Sequence, residues 1–161
     1  MRKTKIIITA LCVVAVITLL GYFVYFVGGV SAVLPPIKNY EYNGDAIQLI
    51  TKIKVFTILS KQPKLIFNVD EVVGNKYNGY AYETTLAIKD SNQNLLYDLK
   101  FSDVGKSKLK AKIKLIGAHN LKTNAGGYGI TADGMNTLLQ QLNLYIIAPL
   151  KTKGVILDIS K

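Results

Sequence analysis

Residues Tyr80–Phe101 read YAYETTLAIKDSNQNLLYDLKF, and this stretch indicates the β-hairpin from which the fold can be worked out. In its first arm, alternate residues share one strand face: Tyr80, Tyr82, Thr84, Leu86 and Ile88. The segment Asp90–Asn94 (DSNQN) has the polar composition of a hairpin loop, and Leu95–Phe101 (LLYDLKF) runs back. We therefore predict two adjacent antiparallel strands here.

Strand signals continue on both sides of this hairpin. Lys64–Val73 (KLIFNVDEVV) is rich in Val, Ile and Phe, and Asn75–Gly79 (NKYNG) has turn chemistry. Lys106–Ile116 (KSKLKAKIKLI) alternates strictly, so lysines lie on one strand face and apolar or small residues lie on the other. Gly154–Ser160 (GVILDIS) is predicted to be a final strand.

The lysine stripe on that alternating strand is the candidate site of the chain, and it comprises Lys106, Lys108, Lys110, Lys112 and Lys114. Because residues two apart on a strand are separated by roughly 7 Å, the stripe would be about 30 Å long. Two interpretations compete. In the first, the lysines protect a sheet edge against edge-to-edge pairing. In the second, they contact an anionic surface such as lipid headgroups, a cell-wall polymer or an acidic partner protein.

One amphipathic helix is predicted after the glycine-rich loop Asn120–Gly129. Its apolar residues recur at helical spacing: Met135, Leu138, Leu139 and Leu142. Either Thr131 or Asp133 can cap its start, and Pro149 is expected to end any continuation. The segment Ala46–Leu59 carries both helix and strand signals, and we favour a helix that leads into a strand at Val55.

These elements predict a mainly β fold, a β-rich α+β class. Strands joined by short polar turns, without regularly interleaved helices, favour an antiparallel β-sheet or sandwich with one packed amphipathic helix. A parallel α/β sheet of the Rossmann class is excluded by the same pattern. The single Cys excludes a disulfide framework within the chain.

The N-terminal part is predicted to be a membrane anchor. Residues 6–27 contain no charged side chain over 22 positions, enough for a helix of roughly 33 Å. Arg2, Lys3 and Lys5 precede this run, so the positive-inside rule places the N-terminus in the cytoplasm. The predicted organisation is a cytoplasmic basic tail (1–5), a transmembrane signal-anchor helix (6–28), a juxtamembrane linker (29–36) and an exported β-rich domain (37–161), periplasmic or extracellular. A signal peptide cleaved near Val30-Ser31-Ala32 is the competing interpretation.

The net charge of +10 does not indicate a nucleic-acid partner. Residues 37–161 hold 17 lysines against 10 acidic residues, a net charge of +7, and the only arginine is Arg2. Arginine is the main residue of phosphate and base recognition, and no aromatic residues interleave with the lysines to stack on bases. We therefore predict no nucleic-acid binding.

No catalytic, metal or cofactor site is predicted. His119, the only histidine, follows the lysine-bearing strand in a turn-like context and has no Cys or second His as a co-ligand. Asp70 and Glu71 are adjacent acids, but neighbours on a strand point to opposite faces. The glycine-rich loop matches neither the Walker pattern nor the dinucleotide-binding pattern. The chain is thus expected not to be an enzyme and to need no cofactor, although a hydrolase site that comes together only in three dimensions stays open.

The function predicted from these observations is that of a non-enzymatic, single-pass envelope protein. Its exported domain would act as an interaction or assembly module, as a subunit of a membrane complex with a protein partner in the envelope. The alternative is binding and transfer of a lipid or another hydrophobic ligand, because strands with apolar faces and one helix can enclose a cavity.

Overall fold

The computed structural model describes residues 16–18, 20–22, 35–60, 63–75, 79–104, 110–155 and 157–159. Contacts divide the chain into residues 1–34 and residues 35–161. Of the predicted span 6–28, residues 16–18 and 20–22 are described, and they are helical with exposed apolar side chains. The rest of that span, the basic tail 1–5 and residues 29–34 of the linker lie outside the described residues. Among the residues described, no helix is long and apolar enough to cross a membrane.

The described strands of residues 35–161 all belong to one antiparallel sheet. They are β1 (Lys38–Asn43), β2 (Lys64–Asn75), β3 (Gly79–Lys89), β4 (Asn94–Asp103), β5 (Lys110–Asn120), β6 (Ala125–Gly127) and β7 (Leu157–Ile159). The strand order is β2-β3-β4-β5-β1-β7, and β6 pairs with the far end of β5. The predicted mainly β, antiparallel architecture is therefore confirmed.

The β3–β4 hairpin has the pairing that its alternation predicts. Leu86 faces Tyr97 and Ile88 faces Leu95, and all four side chains are buried on one face of the sheet. The turn is closed by Asp90, whose Oδ1 accepts backbone N–H bonds from Asn92 at 2.7 Å and Gln93 at 2.8 Å. The same face of the sheet carries the hydrophobic core, and the opposite face is open.

Helix α1 spans Ala46–Leu59, so the expected strand at Val55 is not formed. Residues at helical spacing are buried along its length: Ala46, Leu49, Ile50, Ile53, Phe56 and Thr57. Its start is held by two carboxylates. Asp45 caps the helix by accepting from the Gln48 N–H at 2.7 Å, and Asp103 of β4 accepts from the Ala46 N–H at 2.8 Å. This long-range contact, invisible in the sequence, favours the helix.

The C-terminal helical segment contains helix α2 (Met135–Leu142), a π-helical turn (Asn143–Ile147) and helix α3 (Ala148–Thr152). The predicted amphipathic helix is present, but neither Thr131 nor Asp133 is its N-cap, since Gly134 occupies that position in the left-handed conformation. Pro149 does not end the helical path. The Ala148 N–H donates to the Asn143 carbonyl, five residues back, and this wider turn accommodates the proline ring. Helices α1 and α2–α3 both pack on the sheet, so the domain has more than one packed helix.

The core between sheet and helices is closely packed. Phe101 of β4, Ile53 of α1 and Leu142 of α2 line its internal cavity, which is apolar and measures only about 20 Å³. Tyr97 ties the two layers together, because its hydroxyl donates to the Leu138 carbonyl of α2 at 2.9 Å. Burial raises the pKa of Tyr97, and it raises the pKa of Tyr40 to about 12.

Candidate functional site

Three residues of the lysine stripe, Lys110, Lys112 and Lys114, lie on the open face of β5, in the interior of the sheet. Lys110 and Lys114 are exposed and Lys112 is partly buried, whereas Lys106 and Lys108 lie outside the described residues. Strand β5 pairs with β4 on one side and β1 on the other over the described part of the stripe. The interpretation of these lysines as edge protection is therefore wrong for Lys110, Lys112 and Lys114.

The described lysines are surrounded by charges of both signs. Lys112 lies opposite Glu41 of β1, and Lys114 lies opposite Lys100 of β4. Lys100 in turn forms an ion pair with Glu83 of β3, with 2.9 Å between Nζ and Oε1. Because these groups are partly exposed, such a pair stabilises the fold by about 1 kcal/mol at most. The open face is thus a mixed-charge surface, and its local potential is lower than that of an isolated row of lysines.

Edge protection is found on β2 instead. This strand ends the sheet, and Val69, Val72 and Val73 are exposed on it. Between Val69 and Glu71 the register shifts in a β-bulge, and the exposed Asp70 accepts a hydrogen bond from the Thr85 hydroxyl. A bulge and charged residues are common means of blocking pairing at an open edge.

His119 lies inside β5 rather than in a turn, because the strand continues to Asn120. Its Nε2 is 3.6 Å from Asp98 Oδ2, and its side chain is 24% exposed. Its ring packs edge-on against the Tyr128 ring, with 5.1 Å between the two ring centroids. A Cβ at Gly117 would come within 2.6 Å of Asp98 Oδ2, so glycine leaves room for this cluster. Over the described part of the chain, no group of three or more His, Cys, Asp or Glu side chains could hold a metal ion.

A groove between α1 and the C-terminal segment is the feature that the sequence patterns missed. It measures about 280 Å³, and α1 contributes Thr51, Lys52, Val55, Phe56 and Leu59 to it. The opposite wall is formed by Leu150, Lys153 and Val155. The groove is open to solvent, since Val55 is 51% exposed and Leu59 is 64% exposed.

Helix α1 builds this groove because it carries a second apolar stripe. Its buried residues face the sheet, whereas Val55, Ile58 and Leu59, at spacings of three and four, form an exposed stripe. Ile58 is 74% exposed. The sequence contained the signal, because these three positions share a helix face once the segment is assigned as helix. Because a strand was expected from Val55 onward, this helix face was not predicted.

Two lysines flank the apolar groove. Lys153 Nζ lies 5.0 Å from the centroid of the Phe56 ring, a cation–π contact. Lys52 Nζ donates to the Tyr42 hydroxyl at 2.8 Å and lies 5.3 Å from the centroid of that ring. The arrangement suits a ligand with an apolar body and an acidic group.

Comparisons with protein-family models, with curated proteins and with solved structures find no match to this chain. A function is therefore inferred from the surfaces of the chain itself.

Proposed function

We propose that this chain is a non-enzymatic, single-pass membrane-anchored protein of the cell envelope whose domain 37–161 is an interaction or assembly module. The N-terminus would lie in the cytoplasm and the domain in the periplasm or outside the cell. The charge-free run of residues 6–27 supports the anchor, as do the exposed apolar side chains of Val16, Ile17 and Leu20. Leu, Ile and Val side chains favour the centre of a bilayer.

The proposed interaction rests on the groove between helix α1 and residues Leu150, Lys153 and Val155, here called the α1–α3 groove. The exposed apolar stripe of α1 lies beside it. Isolated surface hydrophobics are common, but a grooved cluster of them marks an interaction site. The partner proposed is an amphipathic helix of an envelope protein, because an apolar groove of this kind receives apolar anchors spaced three and four residues apart. Acidic residues beside those anchors would pair with Lys52 and Lys153.

The experiment is to change one groove residue to a charged residue and to recover partners after mild detergent extraction. Leu59→Glu adds a carboxylate inside the groove at an exposed position, so the fold should be kept while the partner is lost. Ile47→Glu is the matched control, because Ile47 lies on the same helix, is 54% exposed and does not line the groove. Equal partner recovery with both variants, or recovery of only free monomer with the unmodified protein, would contradict the proposal.

The alternative proposal is binding of a lipid or another hydrophobic ligand, and the same groove is the observation that favours it. The internal cavity of about 20 Å³ is too small for an acyl chain, so a lipid would have to lie at the surface. An anionic headgroup would then contact Lys153, and Lys153→Glu should abolish binding of that lipid. Native mass spectrometry of the extracted protein distinguishes lipid binding from helix binding. A lipid that stays bound to the unmodified protein and is lost in Lys153→Glu favours lipid binding. A protein that carries no lipid excludes it.

The lysine stripe enters the proposal as a further contact surface. Lys110 and Lys114 would contact anionic lipid, a cell-wall polymer or the acidic partner. No nucleic acid is proposed as a partner. Charge reversal in Lys110→Glu with Lys114→Glu tests this contact, since unchanged localisation and unchanged partner recovery would exclude it.

A further inference from the structure

The open face of the sheet carries a row of four charged residues that runs across four neighbouring strands. Lys114 of β5 lies opposite Lys100 of β4, and Lys100 lies opposite Glu83 of β3. Glu83 in turn lies opposite Glu71 of β2. The order across the sheet is therefore base, base, acid, acid, and the sign of the charge changes at the line between β3 and β4.

Two of the three contacts in this charged row join like charges. Like charges directly opposite each other on paired strands are destabilising, and both the lysine pair and the glutamate pair are of this kind. Lys100 and Glu83 form an ion pair at the centre of the row. Lys114 and Glu71, at its two ends, are exposed, and neither forms an ion pair with another described residue. Each end of the row therefore lacks a counter-charge.

We propose that the open face binds a second copy of this chain. The two copies meet about a twofold axis that runs along the strands between β3 and β4, so β5 of one copy faces β2 of the other. The axis puts Lys114 of each copy against Glu71 of the other, and this contact occurs twice. It likewise puts Lys100 of each copy against Glu83 of the other. Packed sheets are about 10 Å apart, a distance that extended Lys and Glu side chains bridge.

The contact surface extends along the strands beyond the charged row. Leu96 of β4 lies opposite Ala87 of β3 on the same face, so the axis brings Leu96 of each copy against Ala87 of the other. Four strands of about ten residues, spaced roughly 4.8 Å apart, cover about 600 Å² per copy, or about 1,200 Å² in total. This area is at the lower limit for a specific interface, so we expect a dimer with a micromolar Kd.

This dimer rests on the proposed function in one respect, because it names the acidic partner that Lys114 contacts. It does not use the α1–α3 groove, since the helices pack against the buried face of the sheet. Loss of a groove partner in Leu59→Glu and loss of the dimer are therefore separate results, and either proposal can fail without the other.

The test is charge reversal in separate and in mixed copies, with sedimentation of the full chain in detergent. Lys114→Glu and Glu71→Lys each bring like charges together when two identical copies meet, so each variant alone should raise the Kd of the dimer about tenfold or more. In an equimolar mixture of the two variants both contacts join opposite charges again, so a heterodimer should form. Within one chain the two positions are three strands apart, roughly 14 Å, so the recovery cannot come from a contact inside either copy.

Lys110→Glu is the matched control. Lys110 is exposed on the same strand face and lies opposite Asn43, about 14 Å along β5 from the charged row, so this variant should dimerise like the unmodified chain. A melting curve checks that each variant is folded. If Lys114→Glu unfolds the chain, Lys114→Ala removes the same charge and should also weaken the dimer.

Three results would overturn the proposal. The first is an unmodified chain that stays monomeric up to about 100 μM, well above a micromolar Kd. The second is a dimer that Lys114→Glu and Glu71→Lys do not weaken, or that Lys110→Glu weakens equally, because the copies would then meet through another surface. The third is a mixture of the two variants that forms no heterodimer, because Lys114 would then contact a different anionic group, such as a lipid headgroup.

Discussion

The start of helix α1 gives the sharpest test of how this fold is held together. Asp103, at the end of β4, accepts the Ala46 N–H at 2.8 Å across 57 positions of sequence. Ala46 is fully buried, so its N–H depends on the Asp103 carboxylate for an acceptor. Asp103→Ala should therefore leave a buried N–H group unpaired at the helix N-terminus.

The expected cost follows from the type of bond. A hydrogen bond to a charged group contributes about 1.5–3 kcal/mol, and a carboxylate near a helix N-terminus adds about 0.3–1 kcal/mol when exposed. Because Asp103 is only partly buried, we expect Asp103→Ala to lower the free energy of unfolding by about 2 kcal/mol. Asp45→Ala, which removes the local N-cap, should cost about 1 kcal/mol.

Urea denaturation of the full chain in detergent measures this loss. The chain has no tryptophan and 10 tyrosines, so far-ultraviolet circular dichroism and tyrosine fluorescence are the two probes. Asp133→Ala is the control, because Asp133 looks like a helix cap in the sequence but α2 has no side-chain cap. It should change stability by no more than about 0.5 kcal/mol. If Asp103→Ala costs no more than this control, the bond to Ala46 does not hold the helix.

Four further predictions address other parts of the domain. Tyr97→Phe removes the hydroxyl bond to α2 and should cost about 1 kcal/mol in the same urea assay. Gly126→Ala should lower the melting temperature, because φ is 104° and the new Cβ would clash with the backbone carbonyl of Ala118 in β5. Gly129→Ala should not lower it, because the nearest atom to its new Cβ is 3.9 Å away. Asp70→Val removes a charge from the β2 edge and should produce concentration-dependent self-association beyond that of the unmodified chain, detectable by sedimentation. A variant that associates no more than the unmodified chain would show that the bulge alone prevents edge-to-edge pairing. Backbone hydrogen bonds, that of Asn92 first, lower the pKa of Asp90, so its contribution to stability is present above the usual aspartate range and is lost as pH falls through the lowered value. An NMR titration of its carboxyl group should give a midpoint below that of an unstructured peptide, and an ordinary midpoint would contradict the turn geometry.

Local patterns were enough to predict β2, β3, β4 and β5. Alternation at Leu86 and Ile88 correctly predicted the buried face of β3, because side chains two apart on a strand share one environment. The helical spacing of Met135, Leu138 and Leu142 likewise predicted the face of α2 that is buried. Among the candidate site residues, the sequence correctly grouped Lys110, Lys112 and Lys114 on one strand face, opposite the buried residues of β5.

Errors arose where a distant residue decides the local conformation. Residues 46–59 carry two patterns at once, and the choice of helix coincides with a contact from Asp103 that lies beyond any local window. Pro149 was expected to end the helix, but packing of Leu150 in the core holds the chain on its helical path through a π turn. The full groove beside α1 was not predictable, because its opposite wall comes from Leu150, Lys153 and Val155, which only the folded chain brings next to the helix.

Periodicity within one segment was sufficient to predict β2, β3, β4 and β5, the C-terminal amphipathic helix and the antiparallel class. It did not predict β1, nor β6, which lies in the segment expected to be a glycine-rich loop. Which strand forms an edge of the sheet follows from the long-range strand pairing. The order β2-β3-β4-β5-β1-β7 puts Lys110, Lys112 and Lys114 inside the sheet and the bulge at Asp70 on its edge strand β2. Strand order depends on long-range pairing and on how helices cover one face, and the alternation of residues along a single strand is the same at an edge as in the centre.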